Sequence, residues 1–371
     1  MALLVVSFDA LGDKVFEEMA MNEKKYPNIA KFKKNIFYRN SVKTIFVSNT
    51  YPIHTTVSTG KLPKDHGITS NFLKNSRNVK EKEWAQYSKL IKTKTIWKAA
   101  REKGLKTASF LWPVTCGAKI DYHIPEVHLL KGQNRLVENL KYGSKFFQIN
   151  SLLKYKKYLK NSEGIEGQPS LDNFTVASAS NLFKKKKIDL VLVHLIAYDH
   201  FCHKVGPDGD LEIAKKSLDR NLGKLIKFWH GDILVFSDHS QLQVHENIDL
   251  DLLYPNNFLQ MGGCAFGKKI SLDMPEQYWF GRYLTKKEIE DSGYYGEFTF
   301  GIAAKHGFNF SDKQMKGDHG YPIDYDNYNV FYGINKKLDY SHKLKKDIRD
   351  VTAIISKELN LKMDILKDYQ I

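Results

Sequence analysis

The sequence predicts an α/β fold: a mostly parallel central sheet with helices on both faces and a small cap-like insertion. Two patterns carry this expectation. Short, β-branched apolar runs recur at 3–8 (LLVVSF), 188–195 (IDLVLVHL) and 232–237 (DILVFS), and they lack the alternation of a half-solvated strand, as strands buried on both faces do. Helical patterns lie between them, and strand–helix alternation requires the crossover connections of a parallel sheet. A chain of 371 residues is long enough to build this as a single domain over 1–371.

Taken in order, MALLVVSFDA opens with a first strand. Its apolar run is too short for a signal-peptide core or a membrane span, and Asp9 ends it. SNTYPIHTTVSTGKLPKDHGI (48–68) places Thr50 at the start of a helix-like stretch. A threonine there ordinarily caps the helix by accepting a backbone N–H, and the segment by itself favours that use. KTIWKAAREKG (94–104) predicts a helix that leads into the strand KTASFL. DLEIAKKSLDRNLGKLIKFW (210–229) spaces Leu218, Leu222, Leu225 and Trp229 along one helical face. Two stretches interrupt the alternation: 120–170, polar, aromatic and lysine-rich, and 245–316, which holds QMGGCAFGKK and EQYWFGRYL. Both are expected to be insertions at the sheet edge, forming cap or substrate-specificity loops.

Composition removes several function classes. No stretch reaches the uninterrupted apolar length of a membrane span. Cys116, Cys202 and Cys264 are odd in number, far apart and without a Cys-x-x-Cys pair, which excludes a disulfide framework or thiolate zinc site and fits a cytoplasmic protein. A net charge of +15 and a pI near 9.3 raise the question of nucleic acid. The cations are overwhelmingly lysine, with arginine only at Arg39, Arg77, Arg101, Arg135, Arg220, Arg282 and Arg349. Bidentate phosphate and base recognition favours arginine, so no nucleic-acid partner is expected. The run Lys184–Lys187 closes a predicted helix, where cations complement the dipole.

The chemistry lies at the strand ends. Asp9, Asp199 and Asp238 each sit at or just beyond the C-terminal end of a predicted strand, the edge where open α/β sheets bind ligands. Carboxylates gathered there repel one another unless a cation sits among them. Imidazoles are at hand. Asp199 and His203, four apart in YDHFCH, share a helical face; His239 follows Asp238; His319 lies in the turn-like GDHGYP between Gly317 and Gly320. Aspartate and histidine without cysteine suit catalytic zinc, with manganese, iron and cobalt compatible by ligand type. Six such ligands suffice for two divalent ions.

LLVVSFDAL, SNTYPIHTTVSTGKLPKDHGI, TIWKAAREKGLKTASFLWP, YDHFCHKVGPDG, VFSDHS and GDHGYP, in this order, resemble the nucleotide pyrophosphatase/phosphodiesterase family of the alkaline phosphatase superfamily. The match runs from residue 3 to about residue 335, leaving the two interrupting stretches unmatched. The resemblance implies an alkaline-phosphatase-like catalytic domain that hydrolyses phosphodiester or phosphoanhydride bonds in small-molecule or nucleotide substrates with two divalent metals, zinc foremost. It implies that Thr50 is the nucleophile, transiently phosphorylated or nucleotidylated. Asp9, Asp238 and His239 would hold one metal together with the Thr50 oxygen, and Asp199, His203 and His319 the other. Asn71 matches the asparagine that contacts the phosphoryl group, with Asn49 near enough that spacing alone does not separate the two. Asn49 before Thr50, Ile53, and SDHS in place of SDHG depart from the family pattern without removing a metal ligand.

Sister chemistries remain open at this level. A phosphonate hydrolase would share the ligands, and a phosphoryl-group transferase would differ only in its acceptor. A phosphomonoesterase would add an arginine clamp that the motifs lack, and a sulfatase would need a Cys-x-Pro-x-Arg setting, which is absent. Lack of the clamp favours diesters, whose second substituent is expected to lie against Tyr51, Phe72 and Trp112.

Overall fold

The structure, a computed structural model, describes residues 2–73, 83–159, 168–270, 273–294 and 296–371. Arg77, and the parts of the expected insertions at 160–167, 271–272 and 295, lie outside them. The strands in chain order are β1 (Leu3–Phe8), β2 (Phe37–Val42), β3 (Thr107–Phe110), β4 (Tyr122–Ile124), β5 (Leu190–Leu195), β6 (Asp232–Ser237) and β7 (Leu242–Ile248). They continue with β8 (Phe258–Gln260), β9 (Cys264–Gly267), β10 (Phe280–Tyr283), β11 (Phe300–Ala304), β12 (Gly307–Phe310), β13 (Gly317–Asp318) and β14 (Val330–Ile334).

Seven of these form the central sheet, in the order β2-β14-β6-β1-β5-β3-β4. It is the mostly parallel α/β sheet that the sequence predicts: β1 runs parallel to β5 and β6, and β3 to β5 and β4, while β14 is antiparallel to both its neighbours. Leu4, Val6 and Phe8 of β1 enter one core with Leu218, Leu222 and Leu225 of the helix Glu212–Phe228. Leu3 and Val5 enter the other, with Ile53 and Val57 of the helix Thr50–Thr59 and Val351, Ile354 and Ile355 of the helix Asp350–Glu358. A strand covered on both faces has no polar side to show, hence its unbroken apolar run.

Residues 120–170 supply β4, the edge of the central sheet, and then the helices Arg135–Tyr142 and Lys145–Tyr155. Residues 242–318 fold into two small sheets, β10-β11-β9-β8 and β12-β7-β13, with buried aromatic cores around Trp279, Phe310 and Tyr321 and around Phe266 and Tyr294. This lobe abuts the central sheet's ligand edge, since the Gly263 N–H donates to the His319 carbonyl at 2.8 Å.

Candidate metal centre

The three aspartates meet because three adjacent strands end flush. Phe8 of β1 pairs with Leu195 of β5 on one side and Ser237 of β6 on the other, so the chain leaves all three strands at one level. Asp9 follows β1 and Asp238 follows β6, while Asp199 comes in the first turn of the helix Ala197–Val205. Ala10 adopts the left-handed region (φ 61°), turning its N–H onto Asp238 Oδ1 at 3.1 Å. A non-glycine residue held there carries local strain, of the kind concentrated at functional sites.

The helix that presents Asp199 and His203 starts without a cap of its own. Asp172, reaching from the helix Gln168–Phe183, takes the N–H of Ile196 on Oδ1 (3.0 Å) and that of Ala197 on Oδ2 (3.2 Å). Burial lifts the Asp172 carboxyl to about 7 against these two hydrogen bonds, which pull it down.

Thr50 is the first residue of the helix Thr50–Thr59, with Asn49 at the cap position, so its hydroxyl does not cap. Thr50 Oγ1 instead lies 3.2 Å from His239 Nε2. All ten residues of this polar helix are buried. They tolerate burial because their side chains bond locally: Thr55, Ser58 and Thr59 donate to carbonyls four residues back at 2.6–2.8 Å, and Thr56 meets His66 Nε2 at 3.0 Å. That last contact explains the histidine of KLPKDHG, which latches the following turn onto the helix.

The imidazoles share one tautomer. Nδ1 of His203 faces the Gly317 carbonyl at 2.9 Å, Nδ1 of His239 the Ser240 carbonyl at 3.2 Å, Nδ1 of His194 the Leu111 carbonyl at 3.2 Å, and Nδ1 of His319 the Asn49 Oδ1 at 2.9 Å. Each partner only accepts, so Nδ1 carries a proton in each ring, which leaves Nε2 as the nitrogen that turns to the carboxylates. His239 Nε2 is 3.4 Å from both Asp9 Oδ1 and Asp238 Oδ2, His194 Nε2 is 3.2 Å from Asp9 Oδ2, and His203 Nε2 is 3.3 Å from Asp199 Oδ2. Asp9 Oδ1, Asp238 Oδ2 and His194 Nε2 are buried without a hydrogen-bond partner. Lone pairs aimed at lone pairs, with carbonyls fixing the far nitrogen, form the donor arrangement of a cation site. The residues fit a metal.

Electrostatics agree. Burial, with the Asp238 and Asp199 charges beside it, pushes the Asp9 carboxyl well above the usual carboxylate range. Burial pulls His239 and His319 down to about 4, keeping both neutral as ligands must be. At Asp199 burial works against ionisation, but the His203, His319 and His239 imidazoles outweigh it and hold the carboxyl well below its ordinary range. Burial is outweighed at His203 too, where the Asp199 and Asp318 charges raise the ring to about 9, so Asp199 and His203 form an ion pair whose Nε2 proton a cation would displace.

All six expected metal ligands come together. Asp199, His203 and His319 offer donor atoms within 4.8 Å of one another, and so do Asp9, Asp199 and His239, so Asp199 stands between two positions. Asp238 Oδ2 reaches His239 and also, at 3.6 Å, His54. The two asparagines separate geometrically: Asn49 is committed to His319, whereas Asn71 Oδ1 accepts the Tyr51 N–H at 2.9 Å beside Thr50. Gly320, next to His319, lets the lobe's backbone approach closely. It sits at φ 86°, and a Cβ there would lie 2.1 Å from the Met261 carbonyl.

Sequence reasoning missed His54 and His194. His54 Nδ1 bonds the Thr50 carbonyl at 2.8 Å and Nε2 meets Ser7 Oγ at 2.9 Å, so this ring holds the Thr50 peptide in place. Its spacing, four after Thr50, was a readable signal; the histidine inside the buried run LVLVHL was another. Trp112 corrects an expectation. It is fully buried with Nε1 donating to Ser58 Oγ at 3.0 Å, so it belongs to the core behind the Thr50 helix and does not face a substrate. Trp84 joins Tyr51 and Phe72 instead, 5.2 Å from the Tyr51 ring, 4.9 Å from Phe72 and stacked on His128 at 3.7 Å. Glu126 closes this aromatic wall, its Oε1 3.4 Å from His128 Nε2. Lys43 Nζ is engaged by the Ile323 carbonyl at 2.9 Å.

The family model described as type I phosphodiesterase / nucleotide pyrophosphatase matches residues 3–355. Rat ectonucleotide pyrophosphatase/phosphodiesterase family member 7 is 23% identical over 262 residues, 66% of this chain and 51% of that protein. The chain thus spans about half the length of the rat protein, and its match to human family member 1 spans 10% of that protein. Among solved structures, murine ectonucleotide pyrophosphatase/phosphodiesterase 5 aligns with a TM-score of 0.64 at 20% identity, covering 98% of this chain and 96% of that one. Phosphonoacetate hydrolase from Sinorhizobium meliloti 1021, in complex with phosphonoformate, aligns with a TM-score of 0.69 at 15% identity, covering 97% and 96%. These structural likenesses are of fold. The family match extends over nearly the whole chain and takes in every strand end that bears the aspartate–histidine cluster: the chain belongs to the type I phosphodiesterase / nucleotide pyrophosphatase family.

Proposed function

We propose that the protein hydrolyses phosphodiester or phosphoanhydride bonds of small molecules, nucleotides among them, through a covalent intermediate on Thr50. The observation that carries this reading is the position of Thr50: its hydroxyl, at a helix start, lies 3.2 Å from a bare imidazole nitrogen in a cluster of buried, partnerless donor atoms. When bound there, two divalent cations, zinc best matched to the donor set, would lower the hydroxyl's pKa and neutralise phosphoryl charge. Asp9, Asp238 and His239 would hold one, and Asp199, His203 and His319 the other.

The chain's own part is positioning. Thr50 Oγ forms the bond to phosphorus as the bond to the leaving oxygen breaks, and water later cleaves the threonyl ester. The helix start turns its positive dipole end toward the phosphoryl oxygens. Asn71, its carbonyl oxygen occupied by the Tyr51 N–H, has its NH₂ to donate to one of them. His54 holds the Thr50 peptide, and Asn49 holds His319. Trp84 and Phe72 offer an aromatic wall to the second substituent of a diester. Residues 1–371 act as one catalytic unit in this reading, with the lobe of small sheets shaping the entrance.

The test is a comparison of kcat/KM for bis-p-nitrophenyl phosphate and p-nitrophenyl thymidine monophosphate with that for p-nitrophenyl phosphate, at one pH and zinc concentration. A monoester carries a further negative oxygen that an arginine fork ordinarily stabilises. The expected outcome is a diester preference of at least about tenfold, worth about 1.4 kcal/mol of transition-state stabilisation. A monoester preference of that size would replace this reading with a phosphomonoesterase, and activity confined to phosphonoacetate would replace it with a phosphonate hydrolase.

A further inference from the structure

The helix Lys145–Tyr155 carries apolar residues on its outer as well as its inner face. Its buried residues are Gln148 (3% exposed) and Ser151 (5%), while Phe146 (86%) and Leu153 (70%) stand in solvent with Ile149 between them on the same face. Phe147 and Leu152 already secure the inner face against the main core, the Phe147 ring lying 5.8 Å from Phe110 and 5.6 Å from Tyr122. The outer apolar residues therefore do nothing for the fold, and an exposed apolar stripe of this size marks an interaction surface. The adjoining helix Arg135–Tyr142, linked by the Gln148 side chain to the Asn139 carbonyl at 2.7 Å, buries none of its residues and exposes Leu136 and Val137.

Charge indicates the occupant. Between residues 131 and 159 stand Lys131, Arg135, Lys141, Lys145, Lys154, Lys156 and Lys157, all exposed, against one acid, Glu138. A second copy of the chain would bring this excess of positive charge against itself. Nucleic acid would have little use for the central Phe, Ile and Leu. We infer that this face docks on an anionic membrane surface: Phe146, Ile149 and Leu153 enter the headgroup boundary while the lysines meet acidic lipid headgroups with their stems along the apolar layer. No helix among the described residues is long and apolar enough to cross a membrane. The inference does not depend on the reaction proposed above.

The experiment is co-sedimentation of the full chain with phosphatidylcholine vesicles, with and without about 30% phosphatidylserine. The parent is expected to partition onto the phosphatidylserine vesicles only, and to come off as salt rises from about 0.1 M to about 0.5 M. Phe146→Ser with Leu153→Ser, and separately Lys156→Glu with Lys157→Glu, should each weaken partition by at least about fivefold while Tm stays within about 2 °C of the parent. Two independent pairs keep the test decisive should one of them misfold. Indifference of the parent to phosphatidylserine, or undiminished partition of both variants, overturns the inference. So does self-association of the parent, abolished by Phe146→Ser with Leu153→Ser, in place of vesicle binding.

Discussion

Thr50 and the residues around it show how a side chain's use follows from what its neighbours leave free. Asn49 takes the cap position but spends its oxygen on His319, and the following N–H, that of Tyr51, goes to Asn71, so no backbone donor claims the Thr50 hydroxyl. Thr50→Ala is expected to lower kcat/KM by roughly a thousandfold or more, because a second-best nucleophile would have to be water. Thr50→Ser should keep activity within about a hundredfold of the parent, since the hydroxyl survives without its methyl group. Metal content should be unchanged in both, as the aspartate and histidine donors remain, so assay and elemental analysis together separate loss of the nucleophile from loss of the site. The six aspartates and histidines that gather at the sheet edge were legible in the sequence because strand ends, a four-residue spacing and the GDHGYP turn mark them. His54 was missed although its spacing, four after Thr50, marked it, since a lone histidine within a run of threonines says nothing of which carbonyl it will bond.

Among elements, the helix Ala197–Val205 is the one whose placement matters most, because it carries Asp199 and His203 on one face, and its start depends on a residue from another helix. Asp172→Ala strips the Ile196 and Ala197 N–H groups of their acceptor, and a loss of about 1–2 kcal/mol in urea unfolding is expected. The cost has a pH signature. The Asp172 pKa is raised from 3.8 to about 7 in the fold, so the stability it lends is full below about 3.8 and is lost as pH rises through about 7. The Tm gap between parent and Asp172→Ala should therefore narrow from pH 5 to pH 8, and a gap that widens would show that the ionised carboxylate is the stabilising form, contradicting a raised pKa. No periodicity pointed to Asp172, which serves a helix some 25 residues on. The helices 94–104 and 210–229 and the three central strands, by contrast, were legible from local pattern to within a few residues, at Ile96–Glu102, Glu212–Phe228, and β1, β5 and β6. Residues 245–316 resisted reading because short antiparallel strands such as Cys264–Gly267 draw their pattern from partners far along the chain, Phe300–Ala304 in that case.

At the scale of the molecule, one sheet edge collects the chemistry: three flush strands deliver aspartates, a buried polar helix delivers Thr50, and the return of the chain through the lobe delivers His319. A fold that buries Asp9, Asp238 and His239 with their lone pairs facing one another is costly unless cations lie between them. That requirement is the centre of the account. Metal content measured on protein purified without chelator, then after chelation and after zinc is restored, tests it most directly. The account predicts close to two equivalents of divalent metal per chain, loss of diester hydrolysis when they are removed, and recovery with zinc; full activity from chain that holds no metal would contradict it.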